Sequence, residues 1–278
     1  MRNPRLIALD LDGTLLNSAK ELTPRNRAAL VKAAAQGAHI VPSTGRFFQG
    51  MPEEIRRLPF VRYAITINGA AVYDAVEKRD IYSAELTVEQ ATAIMAYLDT
   101  LPVIYDCYMD NWGWMTASMR DQAADFAPNV HYVRMIRELR RPVPELKAFL
   151  RERGRGVQKV QLFARDETLR QRLLRELESR FPGIIVSSSV PWNIEINQEK
   201  ANKGDALLAL ARHLGIPQTQ TMTFGDGLND VPMLKAAGVG VAMGNAPEDI
   251  KALSDRVTAS CDEDGVAQVI EELWRENE

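Results

Sequence analysis

Two carboxylic acids, Asp10 and Asp12, stand one residue apart near the start of the chain, directly after an apolar stretch. That stretch, residues 5–9, has the composition of a short strand buried on both faces. Burying a carboxylate without a partner is costly, and neighbouring carboxylates also repel one another. A core strand that ends on such a pair therefore needs a positive group beside it, which indicates a functional site.

A second acidic pair, Asp226 and Asp230, follows another short apolar stretch at residues 221–224. Because the carboxyl ends of parallel strands meet at one edge of a sheet, we expect both pairs to share one crevice. Four carboxylates there would repel strongly, and a hard divalent cation with oxygen ligands relieves that repulsion. Magnesium prefers one or two carboxylates together with a phosphate oxygen of a substrate. The pattern therefore predicts Mg²⁺ and an anionic ligand.

Residues that can bind a phosphate lie next to predicted strands and helices. Thr44 offers a hydroxyl after a predicted strand, and Gly45 offers a backbone N–H that a ligand can approach closely. Lys203 lies just ahead of a predicted helix and offers an ammonium group. Lysine commonly binds phosphate as a point charge. Gly13 similarly frees backbone N–H groups beside the first acidic pair.

The elements around these residues predict an α/β fold with a doubly wound, mostly parallel sheet. A strand, a helix and a strand follow one another over residues 5–42, which is a βαβ unit, and the same rhythm resumes at Gly204. Between them, helices alternate with hairpin strands, which is typical of an α+β module. We therefore predict a Rossmann-like core of residues 1–82 and 192–278, with an α+β cap domain inserted at residues 83–191.

Composition excludes several classes of partner. The 278 residues carry a net charge of −3 with no basic tail, which argues against nucleic acid. The densest basic run, residues 134–141, is predicted to be a solvated helical face. No apolar run approaches the roughly 20 residues that span a bilayer, and only two cysteines are present. We expect a cytoplasmic monomer or small homo-oligomer that binds a small-molecule phosphate ester, without membrane or nucleic-acid partners.

The order and spacing of four stretches resemble the motifs of the haloacid dehalogenase-like (HAD) phosphatase superfamily. They are Asp10-Leu11-Asp12-Gly13-Thr14-Leu15, Thr44-Gly45-Arg46, Lys203-Gly204 and Gly225-Asp226-Gly227-Leu228-Asn229-Asp230. Asn68-Gly69-Ala70 and the large insertion resemble the Cof-type subgroup, which carries a large α/β cap. The resemblance implies a magnesium-dependent phosphomonoesterase that acts on a small soluble metabolite, a sugar phosphate or similar compound.

The resemblance also implies roles for the two leading acids and the metal ligands. Asp10 would attack phosphorus and become an aspartyl-phosphate. Asp12 would protonate the leaving alcohol and then deprotonate the water that hydrolyses the intermediate. Mg²⁺ would be held by Asp10, the backbone carbonyl of Asp12, and Asp226, with Asp230 beside them in the metal site or orienting Lys203.

The phosphoryl group would be gripped by Thr44 and Lys203, with Gly45 and Asn229 nearby. Arg46 is a further candidate on the substrate side, although an ordinary surface ion pair explains it equally well. Asn68-Gly69 fits a simple turn and a functional turn equally well.

Two rival functions use the same residues. A phosphotransferase or phosphomutase would replace water by a second alcohol, and product analysis separates these from hydrolysis. A regulatory phospho-acceptor module also has an aspartate at a strand end, but Lys203 and the large insertion disfavour it.

Overall fold

The computed structural model describes residues 4–188 and 190–275. Its strands are β1 (Leu6–Leu9), β2 (His39–Pro42), β3 (Tyr63–Thr66), β4 (Ala71–Asp74), β5 (Arg79–Ser83), β6 (Val103–Met109), β7 (Trp112–Thr116), β8 (Arg140–Val143), β9 (Lys159–Ala164), β10 (Ile184–Ser187), β11 (Asn193–Gln198), β12 (Thr221–Gly225), β13 (Val239–Ala242) and β14 (Arg256–Val257). Its α-helices are α1 (Pro24–Ala35), α2 (Glu53–Arg56), α3 (Val88–Leu98), α4 (Ala117–Asp121), α5 (Ala123–Phe126), α6 (Val130–Leu139), α7 (Leu146–Arg153), α8 (Glu167–Arg180), α9 (Lys203–His213), α10 (Val231–Ala236), α11 (Glu248–Lys251) and α12 (Gly265–Arg275).

The chain forms two compact units. One comprises Met1–Tyr82 and Asn202–Glu278, and the other comprises Ser83–Ala201. The sequence-based boundary at residues 191 and 192 would have placed β11 in the core. In the structure β11 pairs with β9 and β10, so the chain leaves the smaller unit only after that strand. That the units act as catalytic core and cap stays a prediction.

A parallel sheet forms the centre of the larger unit, in the order β14-β13-β12-β1-β2. Leu9 of β1 lies opposite Phe224 of β12 on one side and Pro42 of β2 on the other. Every residue of β1 is buried, as expected for a strand covered on both faces. The predicted α/β class with a parallel sheet is therefore confirmed.

Alternate residues of β1 belong to two different hydrophobic clusters. The sheet is therefore doubly wound, with one cluster on each face. Ile7 and Leu9 belong to a cluster with apolar residues of α1 and α12. Leu6 and Ala8 belong to a second cluster, with residues of α9 and α10. Because successive side chains of a strand point to opposite faces, helices cover both faces of the sheet.

Two local features set where the helices beside the predicted site begin. Thr23 caps α1 by accepting a hydrogen bond from the Asn26 backbone N–H, and Pro24 occupies the first turn. Asn202 caps α9 by accepting a hydrogen bond from the Asp205 backbone N–H. The cap fixes Lys203 as the first residue of that helix.

Strands β3, β4 and β5 form a separate small sheet, in which β3 and β4 run antiparallel. Ser43, just past β2, forms an isolated parallel bridge with Ile65 of β3. The segment that carries Thr44 therefore lies beside β3.

The smaller unit is an α+β module, as predicted. Its sheet has the order β10-β11-β9-β6-β7-β8 and is mostly antiparallel. One face packs on apolar residues of α3, α7 and α8. The opposite face carries polar and charged side chains, several of which are buried.

The basic run at residues 134–141 is not one solvated helical face, so that prediction is wrong in part. Helix α6 ends at Leu139, and Arg140 begins β8. Arg140 is buried and donates hydrogen bonds to the Asp106 carboxylate and to the Tyr108 hydroxyl oxygen. A buried acid compensates its charge, and the periodicity of the helix gave no sign of that partner.

Candidate active site

The carboxyl ends of β1 and β12 bring three acids and one lysine together. Asp10 follows β1, and Asp226 and Asp230 follow β12; their carboxylates have oxygens within 4.8 Å of one another. The Lys203 Nζ lies 2.6 Å from Asp10 Oδ1 and 2.6 Å from Asp230 Oδ1. The structure thus brings together three of the four acids that were expected to converge, with the lysine between two of them.

A close approach between the two acidic loops depends on Gly13. Its φ is +89°, and a Cβ at this position would lie 2.5 Å from Asp226 Oδ2, so only glycine fits. The next residue, Thr14, donates a hydrogen bond of 2.8 Å from its hydroxyl to Asp226 Oδ1. The loop after β1 therefore holds the carboxylate of Asp226 in place.

Asp230 is held by hydrogen bonds on both of its oxygens. Oδ1 accepts from Lys203, while Oδ2 accepts from the backbone N–H groups of Asp226 at 3.0 Å and Gly227 at 2.9 Å. These contacts make Asp230 suited to fixing the loop after β12 and the position of Lys203.

Burial dominates the electrostatics of this group. It raises the pKa of Asp10 to about 7, and although Lys203 opposes this rise, Asp230 and Asp226 add to it. Burial alone would lower the pKa of Lys203, but Asp10 and Asp230 outweigh it, so that its pKa lies above the usual range and the lysine stays charged. Burial also raises the pKa of Asp226, against the lowering effect of the Thr14 hydrogen bond.

The charge of the group suits a divalent cation. Three carboxylates and one ammonium leave two excess negative charges when all are ionised. The donors are carboxylate oxygens, which Mg²⁺ and similar hard cations prefer. The side chains of Asp10 and Asp226 are the ones that would hold such an ion, because Asp230 already accepts three hydrogen bonds, one from Lys203 and two from backbone N–H groups.

The carboxylate of Asp12 lies outside this three-acid group. It forms ion pairs with Lys20, at 3.0 Å, and with Arg46, at 3.1 Å. Burial tends to raise the pKa of Asp12, but Arg46 and Lys20 outweigh it and hold that pKa below its usual range. Arg46, a candidate for phosphate binding, thus contacts an acid of the first motif in this structure.

The remaining predicted phosphate-binding residues lie on loops at the same edge of the sheet. Thr44 is buried, and its hydroxyl oxygen accepts a hydrogen bond from the backbone N–H of Arg46 at 3.3 Å. Gly45 lies against the side chain of Asn68. Asn229 is exposed and donates a hydrogen bond of 3.1 Å to Asn68 Oδ1.

A sequence model of the haloacid dehalogenase-like hydrolase family matches residues 7–270. The chain belongs to this family. The Phosphatase YwpJ of Bacillus subtilis is 32% identical to it, over 97% of this chain and 99% of the relative. The 5-amino-6-(5-phospho-D-ribitylamino)uracil phosphatase YcsE of the same organism is 29% identical, over 96% of this chain and 94% of the relative.

A solved haloacid dehalogenase-like hydrolase from Bacteroides thetaiotaomicron is similar over almost the whole length. It is 30% identical, with a TM-score of 0.81, and the match covers 98% of this chain and 100% of that one. The chain is thus a HAD-like phosphatase of the Cof type, as the motifs and the size of the insertion predicted.

Two residues of this HAD hydrolase that contact Asp226 are not among the predicted site residues. Thr14 lies inside the first motif, but the sequence did not show that its hydroxyl would reach an acid 212 residues away. Asn245 follows a core strand, and its side-chain amide donates to the Gly13 carbonyl at 2.8 Å and to Asp226 Oδ2 at 3.4 Å. Its Oδ1 accepts from the Cys261 backbone N–H at 2.9 Å.

Asn245 belongs to the stretch Asn245-Ala246-Pro247, which has turn composition. The sequence left this stretch open between a plain turn and the rim of the site, because it follows the end of a core strand of a parallel sheet; the contacts of Asn245 place it beside Asp226.

Proposed function

We propose that the chain is a magnesium-dependent phosphomonoesterase that works through an aspartyl-phosphate on Asp10. The observation that carries the proposal is the buried Lys203 bridging Asp10 and Asp230, with Asp226 alongside. A charged lysine at 2.6 Å from Asp10 Oδ1 favours the ionised, nucleophilic form of that carboxylate and orients it. Bound Mg²⁺ would offset the excess negative charge and polarise the phosphoryl oxygens.

In the first half of the reaction, an oxygen of Asp10 forms a bond to phosphorus and the bond from phosphorus to the ester oxygen breaks. The leaving alkoxide takes a proton from Asp12. Lys203 and the Thr44 hydroxyl donate hydrogen bonds to the phosphoryl oxygens, where charge is concentrated in the transition state. Asn229 and the Gly45 backbone N–H are further donors for this group.

In the second half, Asp12 accepts a proton from water, and the water oxygen bonds to phosphorus as the bond to Asp10 breaks. Inorganic phosphate leaves and Asp10 is restored. The ion pairs with Arg46 and Lys20 favour the ionised form of Asp12, which is the form that the second half requires. For the first half we expect these pairs to loosen, so that Asp12 can hold a proton.

The substrate class is a small phosphate ester, a sugar phosphate or similar compound. One relative is named for a phosphorylated ribitylaminouracil, so an ester on a sugar-alcohol chain is a reasonable member of a test panel. The panel should also contain hexose phosphates, nucleotides, flavin mononucleotide and pyridoxal 5′-phosphate.

The proposal is tested by measuring inorganic phosphate released from this panel, with and without Mg²⁺. We expect turnover that requires the metal and ends in free phosphate. A rearranged sugar phosphate without free phosphate would contradict hydrolysis and favour the mutase. The intermediate is tested by acid quench and borohydride reduction, which converts an aspartyl-phosphate at residue 10 to homoserine; its absence during turnover would contradict the mechanism.

None of the helices in the described part of the chain has the length and hydropathy of a membrane-spanning segment. The cytoplasmic location and the monomeric or small homo-oligomeric state stay predictions, which fractionation and light scattering can check.

A further inference from the structure

The turn between β3 and β4 has an unusual backbone. Ile67, Asn68 and Gly69 have φ angles of +54°, +55° and +92°. Glycine and asparagine tolerate this left-handed region, but a β-branched residue rarely adopts it. Ile67 is also buried, so the surrounding structure holds it there. Such strain persists only where neighbouring contacts impose it, and it concentrates at functional sites.

Backbone hydrogen bonds tie this turn to the segment that carries Thr44. The Ile67 N–H donates to the Arg46 carbonyl at 3.0 Å, and the Asn68 N–H donates to the Thr44 carbonyl at 3.1 Å. In return the Thr44 N–H donates to the Ile65 carbonyl at 2.9 Å. These three bonds leave Thr44 little freedom to move relative to the turn.

The glycine of the turn packs directly on the start of α9. A Cβ at Gly69 would lie 2.1 Å from the carbonyl carbon and oxygen of Asn202 and 2.5 Å from the backbone nitrogen of Lys203. Only a residue without a side chain allows two backbones to come this close. The turn therefore sets the position of the helix start that carries Lys203.

The side chain of Asn68 reaches two further predicted phosphate-binding residues. Its Oδ1 accepts the hydrogen bond from Asn229 Nδ2 at 3.1 Å. A Cβ at Gly45 would lie 3.0 Å from the same oxygen, so Asn68 also borders the backbone of Gly45. The turn thus touches segments from three of the four motifs.

We propose that the turn Ile67–Gly69 is a positioning element for the phosphoryl-binding groups, in which Asn68 orients Asn229 and the backbone fixes Thr44 and Lys203. This inference rests on the proposed function, because those three groups matter together only if they hold one phosphoryl group. Asn68 acts through Asn229, so it is a positioning residue.

The turn between β4 and β5 provides a comparison for the turn Ile67–Gly69. Between β4 and β5, Lys78 also has a positive φ, of +54°, and its side chain is exposed. No hydrogen bond described for Lys78 leads to a motif residue. A variant of Lys78 is therefore a matched control for removing a side chain at positive φ.

The experiment is a double-mutant cycle. Asn68→Gly removes the side chain while retaining tolerance of positive φ, and it is combined with Asn229→Ala. Asn68→Ser, too short to reach Asn229, is made in parallel in case the glycine variant does not fold, and Lys78→Gly is the control. For each protein kcat and KM are measured with p-nitrophenyl phosphate and Mg²⁺, together with the inhibition constant of inorganic phosphate and the thermal midpoint.

We expect Asn68→Gly to lower kcat/KM about tenfold and to weaken inhibition by inorganic phosphate. In the Asn229→Ala background the same change should have less than about a twofold effect, because the contact it removes is already gone. Lys78→Gly should leave the kinetics unchanged. Additive losses, or kinetics of Asn68→Gly and Asn68→Ser equal to those of Lys78→Gly, would overturn the proposal.

Failure of the proposed function gives a different result. If the wild type hydrolyses no ester on the panel, calorimetric titration with inorganic phosphate and Mg²⁺ still tests the turn. Phosphate bound equally well by the wild type and the Asn68 variants overturns the positioning role, whereas weaker binding by those variants supports it.

Discussion

Each unit of this protein buries a group of charged side chains, and the two groups differ in charge balance. The group in the larger unit has three acids and one base, namely Asp10, Asp226, Asp230 and Lys203. The group in the smaller unit has two acids and two bases, namely Asp106, Glu195, Arg140 and Lys159. The first group lacks two positive charges, and the second is neutral.

The neutral group is built from four strands of one sheet, namely β11, β9, β6 and β8. Arg140 Nε lies 2.7 Å from Asp106 Oδ2, and Lys159 Nζ lies 3.1 Å from Glu195 Oε1. Tyr108 lies opposite Lys159 in the sheet, and its ring centre is 4.3 Å from the ammonium. Gly113, opposite Arg140, leaves room for that side chain, since a Cβ there would lie 2.6 Å from Arg140 Cδ.

Local electrostatics alone does not separate the two groups. Burial raises the pKa of Asp106 although Arg140 opposes it, and burial likewise raises the pKa of Asp10 against Lys203. The two groups differ in the number of bases that lie beside their acids: one base for three acids in the larger unit, and two bases for two acids in the smaller unit. A balanced group can satisfy itself inside the fold, whereas an unbalanced one favours binding a cation and, with it, an anion.

The largest effect that this comparison predicts is loss of turnover in Asp10→Asn. An amide is a poor nucleophile toward phosphorus, so we expect kcat to fall on the order of 10⁴-fold. Phosphate release in the presence of Mg²⁺ measures it. The matched control is Asp249→Asn, which changes an exposed acid of α11 and should retain wild-type rates. Appreciable activity in Asp10→Asn would remove the nucleophile assignment.

In the neutral group, breaking one pair should cost stability. Arg140→Met leaves the buried Asp106 without its cation, and we expect the free energy of unfolding to fall by about 3–5 kcal/mol. The double variant Asp106→Asn/Arg140→Met should recover much of that loss, because no buried charge is left unpaired. Urea denaturation measures both, and a double variant no more stable than Arg140→Met would contradict the pairing.

The two buried lysines should respond differently to metal. Lys203→Met removes the ammonium from a group of three acids, while Lys159→Met removes it from a group that keeps Arg140 as a second base. Saturating Mg²⁺ should therefore raise the unfolding free energy of Lys203→Met by about 2–3 kcal/mol, and that of Lys159→Met by no more than it raises the wild type. Thermal unfolding at several Mg²⁺ concentrations measures this. Equal increments in the two variants would contradict the charge count.

The pH dependence of Arg140→Met should have a definite sign. Burial raises the pKa of Asp106 above its usual value of 3.8, and removing Arg140 removes the strongest opposing influence and leaves the weaker one of Lys159. The carboxyl group of Asp106 then binds its proton more tightly in the folded state than in the unfolded state. The free energy of unfolding therefore falls as pH increases above about 4. We expect a slope on the order of 1 kcal/mol per pH unit until the pH passes the raised pKa. If the free energy of unfolding of Arg140→Met increased over this range, relative to that of Asp106→Asn/Arg140→Met, the raised pKa of Asp106 would be contradicted.

A smaller effect is expected at Asn245, which contacts the Gly13 carbonyl and Asp226. Asn245→Ala removes a group that orients a proposed metal ligand, so we expect Mg²⁺ affinity to weaken about tenfold. Isothermal titration with MgCl₂ alone measures it without relying on turnover. Asp262→Asn, an exposed change in the nearby turn at residues 261–263, is the control. Unchanged affinity would leave Asn245 as a residue of the turn only.

Much of the fold and of the candidate site could be predicted from local sequence. Asp10, Asp226 and Thr44 each follow a short apolar strand, and the β–α–β rhythm makes those strands parallel neighbours. The boundary of the inserted unit was less predictable. Strand β11 alternates polar and apolar residues, as a hairpin strand does, but the predicted boundary at residue 192 assigned it to the core; its pairing with β9 and β10 places it in the smaller unit.

The sequence by itself determined the class of fold, the family, and the convergence of Asp10, Asp226 and Asp230 with Lys203, because these follow from periodicity and from motif order; it was wrong in placing the Asp12 carboxylate with them. The tertiary structure alone decided that Arg140 is buried beside Asp106, that Asp12 pairs with Arg46 and Lys20, and that Asn68 and Asn245 reach motif residues far away in the chain. The physical reason is that charge compensation and hydrogen-bond partners depend on distances in space. Partners that lie on different strands and loops, from 34 to 232 positions apart for Arg140–Asp106, Arg46–Asp12, Asn68–Asn229 and Asn245–Gly13, leave no mark on the local sequence pattern.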